Sequence, residues 1–189
     1  MQEIEPCPAD EEFVRAHAGE HAAFGALVRR HQRLVFSIAL RMLGDRPLAE
    51  DLSQEVFLQM HRSLRSIESG AHLGFWLRRV TAHRAIDRLR QRKGVDMTTL
   101  EAASHLPAAT GPEEPLLRGP LERLVGELSP VARAVVLLRY QEDLDPGEIA
   151  RTLDIPLNTV KSHLKRSLAS LRVKLSGNRS DAKVAGHDR

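Results

Sequence analysis

Residues 145–175 read DPGEIARTLDIPLNTVKSHLKRSLASLRVKL, and this stretch decides the fold of the C-terminal part of the chain. Ile149 and Leu153 lie one turn apart on the apolar face of a first short helix. A tight turn follows, and Asn158 or Thr159 is expected to cap a second helix. Apolar residues at these offsets around a short turn predict a helix-turn-helix.

The second helix of this pair separates its residues onto two faces. We expect four apolar residues to point inward: Val160, Leu164, Leu168 and Leu171. Polar and basic residues are expected to point outward: Thr159, Lys161, Ser162, His163, Lys165 and Arg166. Such a face suits the major groove of DNA. An ordinary αα-hairpin with a solvated face is the alternative interpretation, but the turn together with the basic face favours DNA binding.

The composition of the whole chain favours helices. Of its 189 residues, 42% are hydrophobic and 28% are charged, and only 4% are aromatic. Leu, Ala, Arg and Glu, which form helices readily, dominate over the β-branched and aromatic residues that sheets prefer. We therefore expect an all-α protein with two small helical domains joined by a flexible linker.

Several function classes are disfavoured by missing patterns. The single cysteine, Cys7, excludes a disulfide framework and a cysteine-based zinc finger. No apolar run approaches the ~20 residues that cross a bilayer, and the acidic N-terminus lacks the apolar segment of a secretory signal. We expect a cytoplasmic protein without membrane insertion. No catalytic motif is visible, so neither an enzyme nor a cofactor is expected. His17 and His21 stand four residues apart without a further ligand, which favours surface histidines over a metal site.

Charge changes sign along the chain and supports the division into domains. Residues 24–93 carry a net charge of +8 and residues 120–175 carry +2, whereas residues 94–119 carry −3. Two basic blocks indicate a polyanionic partner such as nucleic acid, although two solvated helical faces would give the same pattern. The expected organisation is an acidic N-terminal extension (1–21), a helical domain (22–93), a linker (94–119), a second helical domain (120–175) and a disordered tail (176–189).

The apolar spacing in the first domain predicts three helices, at about 22–43, 47–65 and 73–92, with Gly44 ending the first. The middle helix should bury one stripe: Leu48, Leu52, Val56, Met60 and Leu64. Its other faces carry an acidic cluster: Glu50, Asp51, Gln54 and Glu55. First-turn carboxylates that the helix dipole favours explain this cluster only in part, since Glu55 lies beyond the first turn. A docking face for a basic partner is the sharper interpretation.

The third helix is strongly basic. Seven cations lie on it or at its end, with Asp87 as the sole acid: Arg78, Arg79, Arg84, Arg88, Arg90, Arg92 and Lys93. These charges would repel one another without a counter-anion, and a phosphate backbone is the economical partner. Its core stripe is expected to contain Leu73, Trp76, Leu77, Val80, Ile86 and Leu89. For Trp76 we favour core packing over base stacking.

Three segments resemble a known family. They are AEDLSQEVFLQMHRSL (49–64), WLRRVTAHRAIDRLRQR (76–92) and LSPVARAVVLLRYQEDLDPGEIARTLDIPLNTVKSHLKRSLASLR (128–172). In this order they are similar to extracytoplasmic-function (ECF) sigma factors, the small two-domain branch of the sigma-70 family of bacterial RNA polymerase subunits. The resemblance covers about residues 22–175. It implies a first domain, region two, that binds core polymerase and melts the −10 promoter element. It also implies a second domain, region four, that binds the −35 element.

The resemblance also implies roles for single residues. The helix that docks on core polymerase would use Asp51, Gln54 and Glu55. The loop 66–72, which would capture a flipped −10 base, would contribute Ser66, Glu68, Ser69, Gly70 and His72. The helix beside it would add the −10 residues Arg79, His83, Arg84, Asp87 and Arg88. The −35 recognition helix would present Asn158, Thr159, Lys161, Ser162, His163, Lys165 and Arg166.

The chain departs from the family pattern at a few of these positions. His83 stands where Asn is common, and His163 stands where Arg is common. Asp154 and Asn158 replace two frequent glycines around the helix-turn-helix turn, and both residue types tolerate positive φ better than other non-glycine residues. These changes leave the promoter sequence open.

The leading interpretation is therefore a sigma factor for a stress- or signal-response regulon. Its expected partners are core RNA polymerase, promoter DNA and an anti-sigma factor. A free-standing helix-turn-helix regulator is the alternative, and a small enzyme fused to a DNA-binding domain is a third possibility that the missing catalytic motifs disfavour. The acidic cluster on the middle helix favours the sigma factor, because a plain DNA-binding domain gains nothing from it.

Overall fold

The computed structural model describes residues 8–98 and 119–184, and all regular structure in these two ranges is helical. The expected all-α fold is thus confirmed. The helices are α1 (Pro8–His17), α2 (His21–Leu43), α3 (Arg46–Ser63), a 3-10 turn (Leu64–Ser66), α4 (Gly70–Thr98), α5 (Pro120–Gly126), α6 (Pro130–Tyr140), α7 (Pro146–Leu153) and α8 (Leu157–Val184). The chain divides into two compact units after Asp87, within α4.

Local sequence signals set the junction between α2 and α3. Gly44 ends α2 with φ 69°, and its N–H donates to the carbonyl oxygen of Leu40 at 2.7 Å. Asp45 then caps α3 by accepting the Leu48 N–H at 3.0 Å, with proline in the first turn. A left-handed residue is needed at such a helix end, and glycine adopts this conformation without a steric penalty.

The core of the first unit includes the interface between α2 and α3. Leu52, Val56 and Met60 of α3 are completely buried and Leu64, just after its end, is nearly so, as the sequence predicts, while Leu48 is half-buried. These residues are spaced by four positions, so they form one stripe along the inner face of the helix.

The buried stripe of α4 differs from the expectation in part. Leu73, Leu77 and Ile86 are buried as predicted, but Trp76, Val80 and Leu89 are only half-buried. Small side chains complete the stripe instead: Thr81, Ala82 and Ala85. The hydroxyl of Thr81 donates to the carbonyl oxygen of Leu77 at 2.7 Å, which satisfies it inside the core. The apolar periodicity overlooked these positions because alanine and threonine are weak hydrophobic signals.

The N-terminal segment is more than an acidic extension, because α1 packs on α2. Phe13 and Ala16 are buried on its inner face, one turn apart. The Glu12 carboxylate lies 2.9 Å from the Arg30 guanidinium, and the Nε2 atom of His17 lies 3.2 Å from the carbonyl oxygen of Arg65. The helix therefore belongs to the first unit.

The second unit contains the expected helix-turn-helix in α7 and α8. Asp145 and Glu148 form a reciprocal capping box at the start of α7, and the N–H of Glu148 lowers the pKa of the Asp145 carboxyl. Asp154 ends α7 in the left-handed conformation, with φ 55° and ψ 48°. This confirms that an aspartate can adopt the positive φ that this turn requires. Against the prediction, α8 begins at Leu157, and the Pro156 carbonyl accepts its first helical hydrogen bond, from Val160. The expected caps, Asn158 and Thr159, therefore lie inside the first turn.

Three further boundaries differ from those that the sequence predicts. Helix α4 begins at Gly70, since the Ser69 hydroxyl caps it by accepting the His72 N–H at 3.1 Å, so the preceding loop is shorter than expected. The same helix runs through residues 94–98, which were expected in the linker, and α8 runs to Val184 through much of the expected tail. Neither extension contains a proline, which would have ended the helix. Residues 99–118, the rest of the expected linker, lie outside the described residues.

Candidate protein and nucleic-acid interfaces

The outer face of α3 carries the residues predicted to dock on a protein partner. We call Asp51, Gln54 and Glu55 the docking face. Asp51 and Gln54 are exposed and Glu55 is half-buried, and all three lie away from the buried stripe of the helix. The neighbouring Glu50 pairs instead with the Arg46 guanidinium at 3.0 Å, within one turn of the same helix. The docking face is therefore acidic at Asp51 and Glu55, within a unit that is otherwise basic.

One member of the docking face contacts a residue predicted for DNA. The Nη1 atom of Arg84 on α4 donates to Glu55 Oε2 at 3.0 Å, and its Nε donates to Gln59 Oε1 at 2.9 Å. Both charged side chains remain partly exposed, at 40% for Arg84 and 45% for Glu55. We call this contact the α3–α4 bridge. Sequence reasoning missed it, because partners 25 and 29 residues apart leave no periodic signal.

Two of the other predicted −10 residues of α4, Arg79 and His83, lie on a different side of the helix from Arg84. Arg79, His83 and Asp87 follow one another at four-residue steps, which places them along one stripe of the helix. Arg79 and His83 are half-buried and Asp87 is exposed, and each already interacts with a neighbouring group. Asp87 and the half-buried Arg88 follow Arg84 by three and four residues, so they lie nearer its side of the helix. A helix turns by 100° per residue, so Arg84 points to a different side from His83 and reaches α3.

The predicted base-capturing loop is short and partly exposed. Ser66, Glu68 and Ser69 are exposed, and the Ser66 hydroxyl donates to the carbonyl oxygen of Ser63 at 2.7 Å. His72 is half-buried in the first turn of α4, with its ring 6.2 Å from that of Phe75. The loop therefore presents polar side chains beside the start of α4, and Gly70 belongs to the helix itself.

The predicted −35 residues lie along the outer side of α8. The exposed members are Asn158, Lys161, Ser162, Lys165 and Arg166, while Thr159 and His163 are half-buried. On the inner side, Val160 is fully buried and Leu171 nearly so. Leu168, predicted to point inward, is 39% exposed, and the small Ser167 occupies the buried position beside it. An α-helix has 3.6 residues per turn, so residues at successive four-residue steps gradually rotate away from the core. The buried position therefore falls at Ser167 rather than at Leu168.

His163 differs in character from the cations around it. Partial burial, and secondarily the charge of Arg166, lower the pKa of His163 below its usual value. The lowered pKa favours the neutral form of the ring at pH 7 in the free protein. A neutral imidazole offers one donor and one acceptor, which are the groups that a base edge in the major groove can engage.

Residues 8–98 and 119–184 provide no sign of a metal or membrane site. No three His, Cys, Asp or Glu side chains within them gather in a group that would hold a metal ion. No helix there combines the length and the apolar composition needed to cross a membrane.

Comparison with known proteins agrees with this division into two helical units. A family model described as Sigma-70 region 2 matches residues 27–95, and one described as Sigma-70, region 4 matches residues 118–171. The ECF RNA polymerase sigma factor SigE of Mycolicibacterium smegmatis is 34% identical over 172 residues, which cover 86% of this chain and 66% of that protein. This chain thus spans about two thirds of the length of that relative.

Another relative aligns over most of both chains. The RNA polymerase sigma-E factor of Streptomyces coelicolor is 32% identical over 166 residues, which cover 88% of this chain and 93% of that protein. A solved structure of the sigma factor RpoE in complex with the anti-sigma factor NepR, from Bartonella quintana, shares the fold with a TM-score of 0.63 at 20% identity. That match covers 81% of this chain and 96% of the solved one. Since both region models match in chain order and relatives align over most of this sequence, the chain belongs to the ECF group of the sigma-70 family of RNA polymerase sigma factors.

Proposed function

We propose that this chain is a promoter-specificity subunit that binds core RNA polymerase and directs it to promoters with matched −10 and −35 elements. The observation that carries the proposal is the combination, in one chain, of an acidic docking face with two helices that present polar and basic residues. A regulator that binds DNA by itself would need the basic helices and not the acidic face. An assembly that joins a protein partner to DNA needs both.

The docking face of α3 supports binding to a basic protein surface. Asp51 and Gln54 are exposed, and the inner stripe of α3 is buried, so substitutions of these two residues leave the core intact. DNA is a poor partner for this face, because carboxylates repel phosphates. We assign core polymerase to it.

Helix α4 and the loop before it support reading of the −10 element. Arg79, His83 and Asp87 form one stripe of α4, the helix that follows the polar loop at Ser66–Ser69. Bases that have left the stack present their Watson–Crick edges and can be held by polar side chains, at a cost of a few kcal/mol for unstacking. The stripe therefore suits a melted strand, with basic residues of α4 near its phosphates.

Helix α8 supports reading of the −35 element as intact duplex. Its exposed side chains Lys161, Lys165 and Arg166 give the charge that phosphates attract, and the neutral His163 lies among them. Burial of Val160 on the opposite side holds the helix on its own unit. This is the geometry in which a recognition helix enters the major groove.

We also propose that a partner protein regulates this chain and that the chain itself does not catalyse a reaction. The polymerase carries the chemistry, so we propose a transcription initiation factor rather than an enzyme, acting in the cytoplasm without a cofactor. The solved relative binds an anti-sigma factor. We propose such a partner for this chain too, controlling a stress- or signal-response regulon.

Promoter-dependent transcription with purified core polymerase tests the proposal. The full chain is added to core enzyme with a library of promoter templates, and transcripts are sequenced. We expect initiation from a subset that shares two elements. Binding of the chain alone to a specific duplex, with no co-elution with core polymerase, would favour the free-standing regulator instead.

A further inference from the structure

An exposed leucine extends the docking face of α3. Leu58 is 58% exposed, whereas Leu52, Val56 and Met60 on the same helix are fully buried. It follows Glu55 by three residues, and the other two members of the docking face by four and seven. Residues at these spacings share one side of a helix. Leu58 is therefore continuous with the acidic surface.

An exposed leucine by itself is common and needs no explanation. Leu58 is a candidate interface residue because it lies beside an acidic surface. Protein interfaces place apolar anchors within a polar rim, and the rim excludes water from the anchor. With Asp51 exposed two turns away and Glu55 one turn away, Leu58 has such a rim on one side.

We propose that Leu58 is the apolar anchor of the docking face and contacts an apolar side chain on a basic surface of core RNA polymerase. This inference rests on the proposed function. Charge complementarity selects the occupant: the exposed carboxylate of Asp51 repels both DNA and a second copy of the same face, whereas Glu55 is already paired with Arg84. A basic protein surface with an apolar residue at its centre satisfies Asp51 and the leucine together.

The anchor and the carboxylates should respond differently to salt. Burial of apolar surface is insensitive to ionic strength to a first approximation, whereas attraction between exposed charges weakens as the Debye length shortens from about 10 Å at 0.1 M to about 3 Å at 1 M. Variants of Leu58 and of Asp51 can therefore be told apart by titrating salt.

The experiment measures the affinity of the full-length protein for core polymerase at 0.1 M and 0.5 M NaCl. We expect Leu58→Ala to weaken binding about tenfold at both salt concentrations, as truncation of an interface anchor does. Asp51→Asn should weaken binding at 0.1 M, with the loss shrinking at 0.5 M. Leu58→Met, which keeps the apolar volume, should stay within about threefold of wild type.

Val14→Ala is the matched control. Val14 is 64% exposed on α1 in the same unit and lies outside the docking face, so its removal should leave the affinity unchanged. Circular dichroism verifies that each variant unfolds like wild type. Wild-type affinity for Leu58→Ala, while Asp51→Asn weakens binding, would overturn the anchor and leave the proposed function intact. An equal loss for Val14→Ala would also overturn it. A wild-type chain that fails to bind polymerase would refute the proposed function itself.

Discussion

Replacing Arg84 by alanine separates a structural role from a DNA-binding role, because the sequence predicts a phosphate contact and the structure shows the α3–α4 bridge. The substitution removes the hydrogen bonds to Glu55 and Gln59. The charged pair is 40–45% exposed, so solvent screening reduces it to about 0.2–1 kcal/mol. The bond to Gln59 adds about 0.5–1.5 kcal/mol. Together they predict a loss of about 1–2 kcal/mol.

For a domain of 60–100 residues, this loss should lower Tm by roughly 4–16 °C. Thermal unfolding followed by circular dichroism measures the shift. Gln59→Ala is the partial control, since it removes one of the two bonds and none of the predicted DNA contacts. It should lower Tm by about half as much.

A second experiment measures the affinity of the complex of core polymerase and this chain for promoter DNA at several salt concentrations. A residue that neutralises a phosphate lowers the salt slope by about one unit when it is removed. We expect this change for Arg88→Ala, which should weaken binding to all promoters alike. The slope should stay unchanged for Arg84→Ala, because that guanidinium is held by α3. A slope reduced by one unit with an unaltered Tm would show that Arg84 is a phosphate contact and would refute the bridge.

Three further predictions follow from the candidate interfaces and from one half-buried histidine. Asp51→Arg combined with Gln54→Arg should abolish co-elution with core polymerase while Tm stays at the wild-type value; normal co-elution would remove the docking face from the proposal. His163→Ala should change the base preference at a −35 position by about 1–3 kcal/mol. His83→Ala should change the base preference only at the −10 element, and the effect should persist on a pre-melted template. Promoter-library transcription checks both variants, and exchanged effects would contradict our assignment of the two units. Burial, followed by the charges of two neighbouring arginines, lowers the pKa of His31 below its ordinary 6.5, so the unfolded chain binds the proton more readily. The contribution of His31 to the free energy of unfolding is then complete above pH 6.5 and falls as the pH drops below that value. His31→Gln should flatten this pH dependence in urea titrations at pH 5–7.5. An unchanged pH dependence would show that His31 has no part in it.

Local signals in the sequence were sufficient for much of the fold. Gly44 and Asp45 mark the junction between two helices, because a left-handed helix end and a side-chain cap each depend only on residues within a few positions of them. At the helix-turn-helix turn, the resemblance pointed to Asp154 in place of a frequent glycine, and the tolerance of aspartate for positive φ explains its left-handed conformation there. Strong four-residue periodicity likewise predicted the buried stripe of α3.

Features that depend on tertiary contact were not predictable in this way. The α3–α4 bridge joins Arg84 to residues more than twenty positions earlier, and its geometry exists only once the two helices pack. It also changes an obvious experiment: Glu55→Arg would place two guanidinium groups together and disturb the fold. Ser167 is buried where Leu168 was predicted to be, because a pattern of apolar residues alone does not reveal a one-position error in helical phase.

Helix α1 has a consequence for how the protein is made. It is synthesised before the rest of the first unit, yet His17 contacts the backbone of Arg65, 48 positions later. A ten-residue helix is marginal in water by itself, so its stability depends on packing against α2 and is completed only when the segment near Arg65 has been synthesised. An expression clone that starts at His21 would strip Phe13 from the surface of α2 and uncover apolar side chains there.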